Sequence, residues 1–192
     1  MLDVLIIGAG PVGLACALES QRKGLQVAII EKGALVNSIV GYPTNMEFFS
    51  TPELLEIGGY PFPTAHYKPL REDALDYYQR VARDEKLTIR LHETVLTLEG
   101  EQGNFVVTTN KSTIPTRNVV VATGFYDLPN PLDVPGEDLP TVSHYYKEPY
   151  QHVPCASSSS GPKTPRPKRP CSSPAPGPRS RSSCAAPPSA TP

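Results

Sequence analysis

The sequence predicts an α/β fold over residues 1–150, of the doubly wound, Rossmann-like type, with short β-strands inserted before its last strand. Three observations predict it. An apolar strand, a glycine-rich turn, a helix and a second apolar strand follow one another within the first 31 residues. A further buried-strand pattern, Arg117–Ala122, runs directly into Thr123-Gly124. Near Pro154 the composition changes so completely that everything able to form a core lies before it.

Leu2–Ile7 (LDVLII) is nearly all apolar, as a strand covered on both faces of a parallel sheet should be. Gly8-Ala9-Gly10-Pro11-Val12-Gly13 follows at once, and Leu14–Lys23 continues at helical spacing until Gly24 stops it. Gln26–Glu31 (QVAIIE) reads as the second strand, ending on an acid. This is a βαβ unit with G-x-G-x-x-G in its strand-to-helix turn. Each glycine has a physical reason. Gly8 permits the tight turn, Gly10 lets the backbone approach a pyrophosphate, and Gly13 lets the helix pack closely on the strand. Pro11 falls in the first helical turn, where a missing N–H costs little. The free amides and the dipole of the helix then face an anion. Glu31, 18 residues beyond Gly13, stands where a carboxylate accepts hydrogen bonds from ribose hydroxyls. Dinucleotide binding is the reading, and Glu31 fits FAD and NAD equally.

Arg71–Lys86 carries apolar residues at 74, 75, 78, 81 and 82, the stripe of an amphipathic helix. Leu87–Leu91, Thr94–Leu98 and Asn104–Thr109 read as short strands, with Gly100 and Gly103 turning the chain between the last two. Arg117–Ala122 is the closing strand.

The net charge of −1 conceals two compositions. Residues 1–153 hold 12 Lys+Arg against 19 Asp+Glu, whereas residues 154–192 hold 6 Lys+Arg and no acid. The latter stretch has 11 Pro and 10 Ser in 39 residues and no Val, Ile, Leu, Met, Phe, Tyr or Trp. It can bury too little to compensate the ordering of its backbone, about 1–2 kcal/mol per residue. A disordered tail over 151–192 is therefore expected. No apolar run approaches a membrane span, and the N-terminus lacks the basic region of a secretory signal. Cys155, Cys171 and Cys184 fit neither a zinc site nor a Cys-x-x-Cys pair, so no metal is expected and a reducing cytoplasm is the expected compartment. Nucleic acid is not an expected partner, because the tail has basic residues without interleaved aromatics.

The strand ending in Ala122-Thr123-Gly124 resembles that of the flavoproteins with two dinucleotide domains, whose backbone at this point passes close to FAD. The resemblance narrows through the loops. Tyr42-Pro-Thr-Asn-Met46, Phe48-Phe-Ser-Thr-Pro-Glu53 and Leu55-Glu-Ile-Gly58 resemble the YpdA family of bacillithiol-disulfide reductases, relatives of the thioredoxin reductases. Lys68-Pro-Leu-Arg71, Tyr77-Tyr78, Val134-Pro-Gly-Glu-Asp138 and Ser143-His-Tyr-Tyr146 agree. The match covers roughly residues 2–150. It implies tightly bound FAD, NADPH as reductant, a low-molecular-weight thiol disulfide as substrate, and a homo-oligomer. Carried over residue by residue, its cofactor-binding positions fall on Gly8, Gly10, Pro11, Gly13, Glu31, Asn45, Val95, Ala122, Thr123 and Gly124. No catalytic residue is assigned.

The chain departs from the pattern at Val12, where many members carry a cysteine. Cys16, one helical turn on, reads as a small buried hydrophobe. Among other residues, His144 reads as a structural histidine of a crossover loop, and Phe48 and Phe49 as core. Arg71 reads as a solvated charge at a helix start. A flavin-containing monooxygenase is the alternative enzyme class, since Ala122-Thr-Gly124 followed by Pro129, Pro131 and Pro135-Gly136 also occurs there. An inert FAD-domain fragment is the alternative without catalysis.

The tail falls where the resemblance calls for an NADPH-binding domain. Read from the preceding third base, the codons of Ser157–Cys171 permit VVVVGAKNSAAEAAL, a strand, a glycine turn and a helix. The expectation is a reading frame lost between about Tyr150 and Ala156, and no NADPH-dependent activity in the chain as it stands. A genuine basic interaction tail is the alternative.

Overall fold

The computed structural model describes residues 1–148 and Tyr150; the tail expected over 151–192 lies outside the described residues. Strands β1 (Leu2–Ile7), β2 (Val27–Ile30), β3 (Ile89–Arg90), β4 (Val95–Glu101), β5 (Asn104–Thr109) and β6 (Thr113–Val121) form one sheet in the order β3-β2-β1-β6-β5-β4. β3, β2, β1 and β6 run parallel, while β5 pairs antiparallel with both β4 and β6. The helices are α1 (Pro11–Arg22), the single turn α2 (Asn37–Val40) and α3 (Arg71–Asp84).

β1 is covered on both faces, as its continuous apolar run requires. Val4 and Ile6, with Ile29 of β2, pack against Leu14, Ala17 and Leu18 of α1 and Ala74, Tyr77, Tyr78 and Val81 of α3. Leu5, Ala28 and Ile30 point the other way and meet Val107 of β5, with Val95 and Ile114 around it. The two long helices thus share one face, and the opposite face is covered by the β4–β5 hairpin. β6 makes this possible by serving two partners in succession. Thr113–Thr116 pairs with β5, and Thr116–Val121 with β1. Thr116, fully buried at the changeover, donates its hydroxyl to the Asn118 carbonyl at 3.0 Å.

α3 holds the long connection before it as well as the core. The Tyr77 hydroxyl accepts from the Ile57 amide at 2.8 Å and donates to the Tyr60 carbonyl at 2.8 Å, while the Tyr78 hydroxyl donates to Leu55 at 3.0 Å. Phe62 stacks on Tyr77 with centroids 4.4 Å apart. Burial raises the Tyr78 phenol well above its ordinary pKa. Asp73 accepts from the Leu70 amide at 2.9 Å, which satisfies one orphan donor at the helix start.

The α/β Rossmann-like class and every expected element are present, with differences at the ends. β4 continues to Glu101, so Gly100 does not turn the chain. It lies inside the strand opposite Phe105 with φ +100°, and the turn is made by Gln102-Gly103. β6 begins four residues before the expected Arg117 because Thr113–Thr116 finds a partner in β5. α2 and a 3-10 turn at Pro52–Leu54 were not expected. Among the described residues, no helix is long and apolar enough to cross a membrane.

Candidate dinucleotide site

The parallel order β2-β1-β6 brings three strand ends to one edge, and the expected residues meet there. Gly8 follows β1 with φ +108°, a conformation open to glycine, and a Cβ on it would lie 2.3 Å from the Ala122 carbonyl oxygen. The Ala122 amide donates to Ile7 at 2.8 Å, so the glycine turn and the Ala122-Thr123-Gly124 segment lie side by side. Gly13 sits on α1 where a Cβ would be 2.0 Å from the Gly8 carbonyl oxygen. It is a glycine because the helix presses against the turn. Gly10 differs from both: a Cβ there meets nothing within 4 Å. Gly10 is the N-cap of α1, Pro11 is its first residue, and no side chain caps it. The first-turn amides are therefore free to receive an anion.

Glu31 is buried, 7% exposed, and its carboxylate grips the turn. Oε2 accepts from the Ala9 amide at 2.8 Å and Oε1 from the Gly33 amide at 2.9 Å. Ala9 is held from the other side too, since its carbonyl accepts from the Val36 amide at 3.1 Å. Val36 is fully buried and left-handed, with φ +48°, a strained conformation for a β-branched residue. Its peptide is thus spent on fixing the turn.

The rim is polar and aromatic. Lys32 Nζ meets Asp127 at 2.7 Å. The Tyr126 hydroxyl donates to the Gly41 carbonyl at 3.1 Å, and its ring lies 4.9 Å from that of Tyr42. Burial raises the pKa of both phenols. Behind Glu31, the Glu93 amide donates to the Glu31 carbonyl at 2.9 Å. The Glu93 carboxylate accepts from Thr109 at 2.7 Å, Ser112 at 3.0 Å and Arg90 at 3.3 Å. The Thr109 hydroxyl above all, then Ser112 and Arg90, hold its pKa below the ordinary carboxylate value.

Residues 5–154 match the family model described as pyridine nucleotide-disulphide oxidoreductase. The chain belongs to this family. Within this oxidoreductase family it is 45% identical over 145 residues to the bacilliredoxin reductase Bdr of Bacillus subtilis (strain 168), covering 75% of this chain and 45% of that protein. A ferredoxin–NADP reductase of Lactococcus lactis (strain IL1403) is 35% identical over 64% of this chain and 35% of its own length. The bacillithiol disulfide reductase Bdr (YpdA) of Staphylococcus aureus is 43% identical with a TM-score of 0.76, over 79% of this chain and 47% of that one. These relatives bear out the YpdA resemblance read from the loops. The chain spans about half or less of the lengths of these relatives. A flavin-containing monooxygenase of Stenotrophomonas maltophilia, 24% identical with a TM-score of 0.58, shares the fold.

Of the expected site residues, Gly8, Gly10, Pro11, Gly13, Glu31 and Ala122, with Thr123 and Gly124 beside it, come together at this edge. Val95 opens β4 opposite Thr109, half-buried, two residues beyond Glu93. Asn45 is exposed on the loop after α2, where its neighbour Thr44 bonds Glu148 and the Lys147 carbonyl. Arg71 is not the solvated charge expected of it. With its side chain 17% exposed, it donates to the Ile39 carbonyl at 3.0 Å and the Val40 carbonyl at 2.8 Å, closing the end of α2. Phe48 packs on the core, but Phe49 is 69% exposed. Cys16 is partly buried against the helix-side core. His144 faces Glu137 at 3.6 Å in the loop after β6. Lys32, Val36 and Tyr126 had no motif to announce them. Asp127 and Glu93 were two acids among many.

Proposed function

We propose that residues 1–150 are the FAD-binding half of an NADPH-dependent flavoprotein that reduces a low-molecular-weight thiol disulfide of the bacillithiol type. The observation that carries the reading is the contrast among the three glycines: protein closes on Gly8 and Gly13, whereas Gly10 is open at the uncapped start of α1. A pyrophosphate fits that opening, with the first-turn amides donating to it and the helix dipole favouring its charge. Each Glu31 oxygen holds one backbone amide and keeps a lone pair for a ribose hydroxyl. The Ala122 and Thr123 backbone lies against Gly8, two residues before the opening. A bound flavin supplies two-electron redox chemistry between a reduced nicotinamide and a disulfide. The chain's own residues bind and orient it, and the 45% and 43% identities to the two Bdr proteins support the disulfide class. A reducing cytoplasm, where such disulfides are turned over, and a homo-oligomer belong to the same reading.

The test is flavin uptake by the 192-residue chain, read as a flavin absorbance band that survives gel filtration. Retention in the parent and loss in Gly10→Val are expected. A parent that retains none, or a Gly10→Val that retains as much as the parent, refutes the assignment. On the reading of residues 151–192 as out of frame, the same chain loaded with FAD oxidises no NADPH, and robust turnover would overturn that part.

A further inference from the structure

The segment that follows β6 is tied to residues that follow β2. Lys32 lies two residues past the end of β2, and Asp127 six past the end of β6. In the sheet these strands stand on either side of β1, about 10 Å apart at the usual strand spacing. The ion pair between them, at 2.7 Å, therefore links the chain on one side of β1 to the chain on the other. A second anchor lies beside it. Tyr126 donates to Gly41 at 3.1 Å, its ring contacts Tyr42 and Tyr145, and its carbonyl accepts from the Tyr145 hydroxyl at 2.9 Å. Before these anchors Gly124 has φ +70°, a conformation that side chains resist. Phe125, between Gly124 and the anchors, is 93% exposed.

We propose that Gly124–Asp127 is a strap across the dinucleotide cradle, latched by Lys32–Asp127, and that the latch governs exchange of the bound dinucleotide. The proposal rests on the reading of this edge as an FAD site. The two anchors differ in kind. The aromatic one is built into the 41–42 loop, but the ionic one joins half-exposed side chains, 52% and 35%, and is easily broken. A pair of this exposure changes an equilibrium by about two- to fivefold at most and is screened by salt. Lys32 also lies next to Glu31, so opening the pair frees an ammonium beside the carboxylate read as facing the ribose.

The experiment is a double-mutant cycle on the full 192-residue chain loaded with FAD, with flavin release followed by the fluorescence of free FAD after dilution. Asp127→Asn and Lys32→Met are each expected to speed release about two- to fivefold, and the double variant no more than either single. Salt raised to about 0.5 M should speed the parent to the variants' rate and leave the variants unchanged. Slower release from Asp127→Asn would overturn the latch, because that is what removing a mere repulsion of the phosphates predicts. Strictly additive single effects would overturn it as well. Chymotrypsin cleavage after Phe125 reads the strap in the unliganded chain. It should be several-fold faster in both single variants, and equal rates would overturn the latch. If the chain takes up no flavin, the proposed control of exchange falls with the FAD reading, whatever the cleavage rates show of the ion pair.

Discussion

Exchanging Gly13 and Gly10 singly for alanine should separate folding from binding, because the two glycines are there for different reasons. At Gly13 the new Cβ lies 2.0 Å from the Gly8 carbonyl oxygen and 3.1 Å from its carbon, both backbone atoms. Contact requires more than 3 Å, so α1 must retreat from the turn by about an ångström. Overpacking of this kind costs about 1–3 kcal/mol and sometimes more. The gain in helix propensity returns about 1 kcal/mol, but the retreat also strains the Ala9 bonds to Glu31 and Val36. A net loss of about 2 kcal/mol is expected. With a urea slope of about 1–3 kcal/mol per molar, the unfolding midpoint should fall by about 1 M. At Gly10 the Cβ meets nothing within 4 Å, and the backbone, at φ −76° and ψ 178°, is ordinary for alanine. The loss of an N-cap glycine, about 0.5–1 kcal/mol, is matched by the lower entropy of the unfolded chain, about 0.4–1 kcal/mol. The midpoint should not move by more than about 0.3 M. Flavin affinity should nevertheless fall at least about tenfold, because the methyl occupies the only opening among the three glycines. Urea unfolding of the unliganded variants and a flavin titration decide the matter. A Gly10→Ala as unstable as Gly13→Ala, or one that binds FAD like the parent, would refute the reasoning.

Glu31→Ala should destabilise the unliganded chain by about 2–4 kcal/mol, since it strands the Ala9 and Gly33 amides in a buried site, with Glu31→Gln between the two; urea unfolding without flavin reads this directly. Thr109→Val should raise the Glu93 pKa and cost about 1.5–3 kcal/mol near pH 7. Glu93 has a depressed folded-state pKa, so its contribution is fully present above the unfolded value of about 4.3 and fades as pH falls through the folded value. The gap between parent and variant should therefore narrow as pH falls below the unfolded value, to the part owed to the Lys111 and Ser112 amides that the Thr109 hydroxyl also holds, and a gap constant from pH 7 to pH 3 would show that Glu93 is not involved. Arg71→Ala should cost about 1–2 kcal/mol and accelerate amide exchange at Gly41 and Tyr42, whose amides donate to Asn37 and Ile39, because α2 loses the guanidinium at its end; unchanged exchange there would count against the capping role.

Much of this architecture was legible because the local signals are strong. Leu2–Ile7 reads as a strand from its apolar run, and Arg71–Asp84 as a helix from its stripe and the absence of a breaker. The glycine spacing marks the turn because each glycine answers a separate steric demand. What escaped depends on partners distant in sequence. β6 is long because β5 pairs with its first half, which no property of Thr113–Thr116 announces. Gly100 looked like a turn residue, yet it serves inside a strand, where a Cβ would strike the Asn104 carbonyl oxygen at 2.3 Å. Arg71 reads as solvated from its neighbours alone because its acceptors, the Ile39 and Val40 carbonyls, lie more than 30 residues away. Val36 is the extreme case. A buried valine with positive φ runs against local preference and is explained only by the amide it lends to Ala9.

The coding DNA beyond residue 150 distinguishes a lost reading frame from a genuine tail. The family match runs to residue 154, and from three residues later the shifted frame permits a strand, a glycine turn and a helix. Most of that frame is undemanding. A codon ending in TC encodes Phe, Leu, Ile or Val whatever its first base, so Ser157–Ser160, where written with TCN codons, yield an apolar run whatever their third bases. Codons ending in CC or CG beneath Pro162, Pro165, Arg166 and Pro167 yield mostly small residues in the same way. The discriminating base is the third of the Ser160 codon. If it is G, the shifted codon at Gly161 encodes glycine, and the strand ends in the turn that a second dinucleotide site needs. If it is A, C or T, the codon encodes Arg or Trp and the turn is lost. The frame reading therefore requires TCG at Ser160, and also a single-base lesion or its equivalent between the codons of Tyr150 and Ala156. Chance alone supplies the G about one time in four, so the base is necessary and the second arm carries the weight. A gene repaired in that interval should express a protein that, with FAD, oxidises NADPH in the presence of a thiol disulfide. A repaired gene whose product binds flavin and oxidises no NADPH would leave residues 151–192 to be read as protein in their own right.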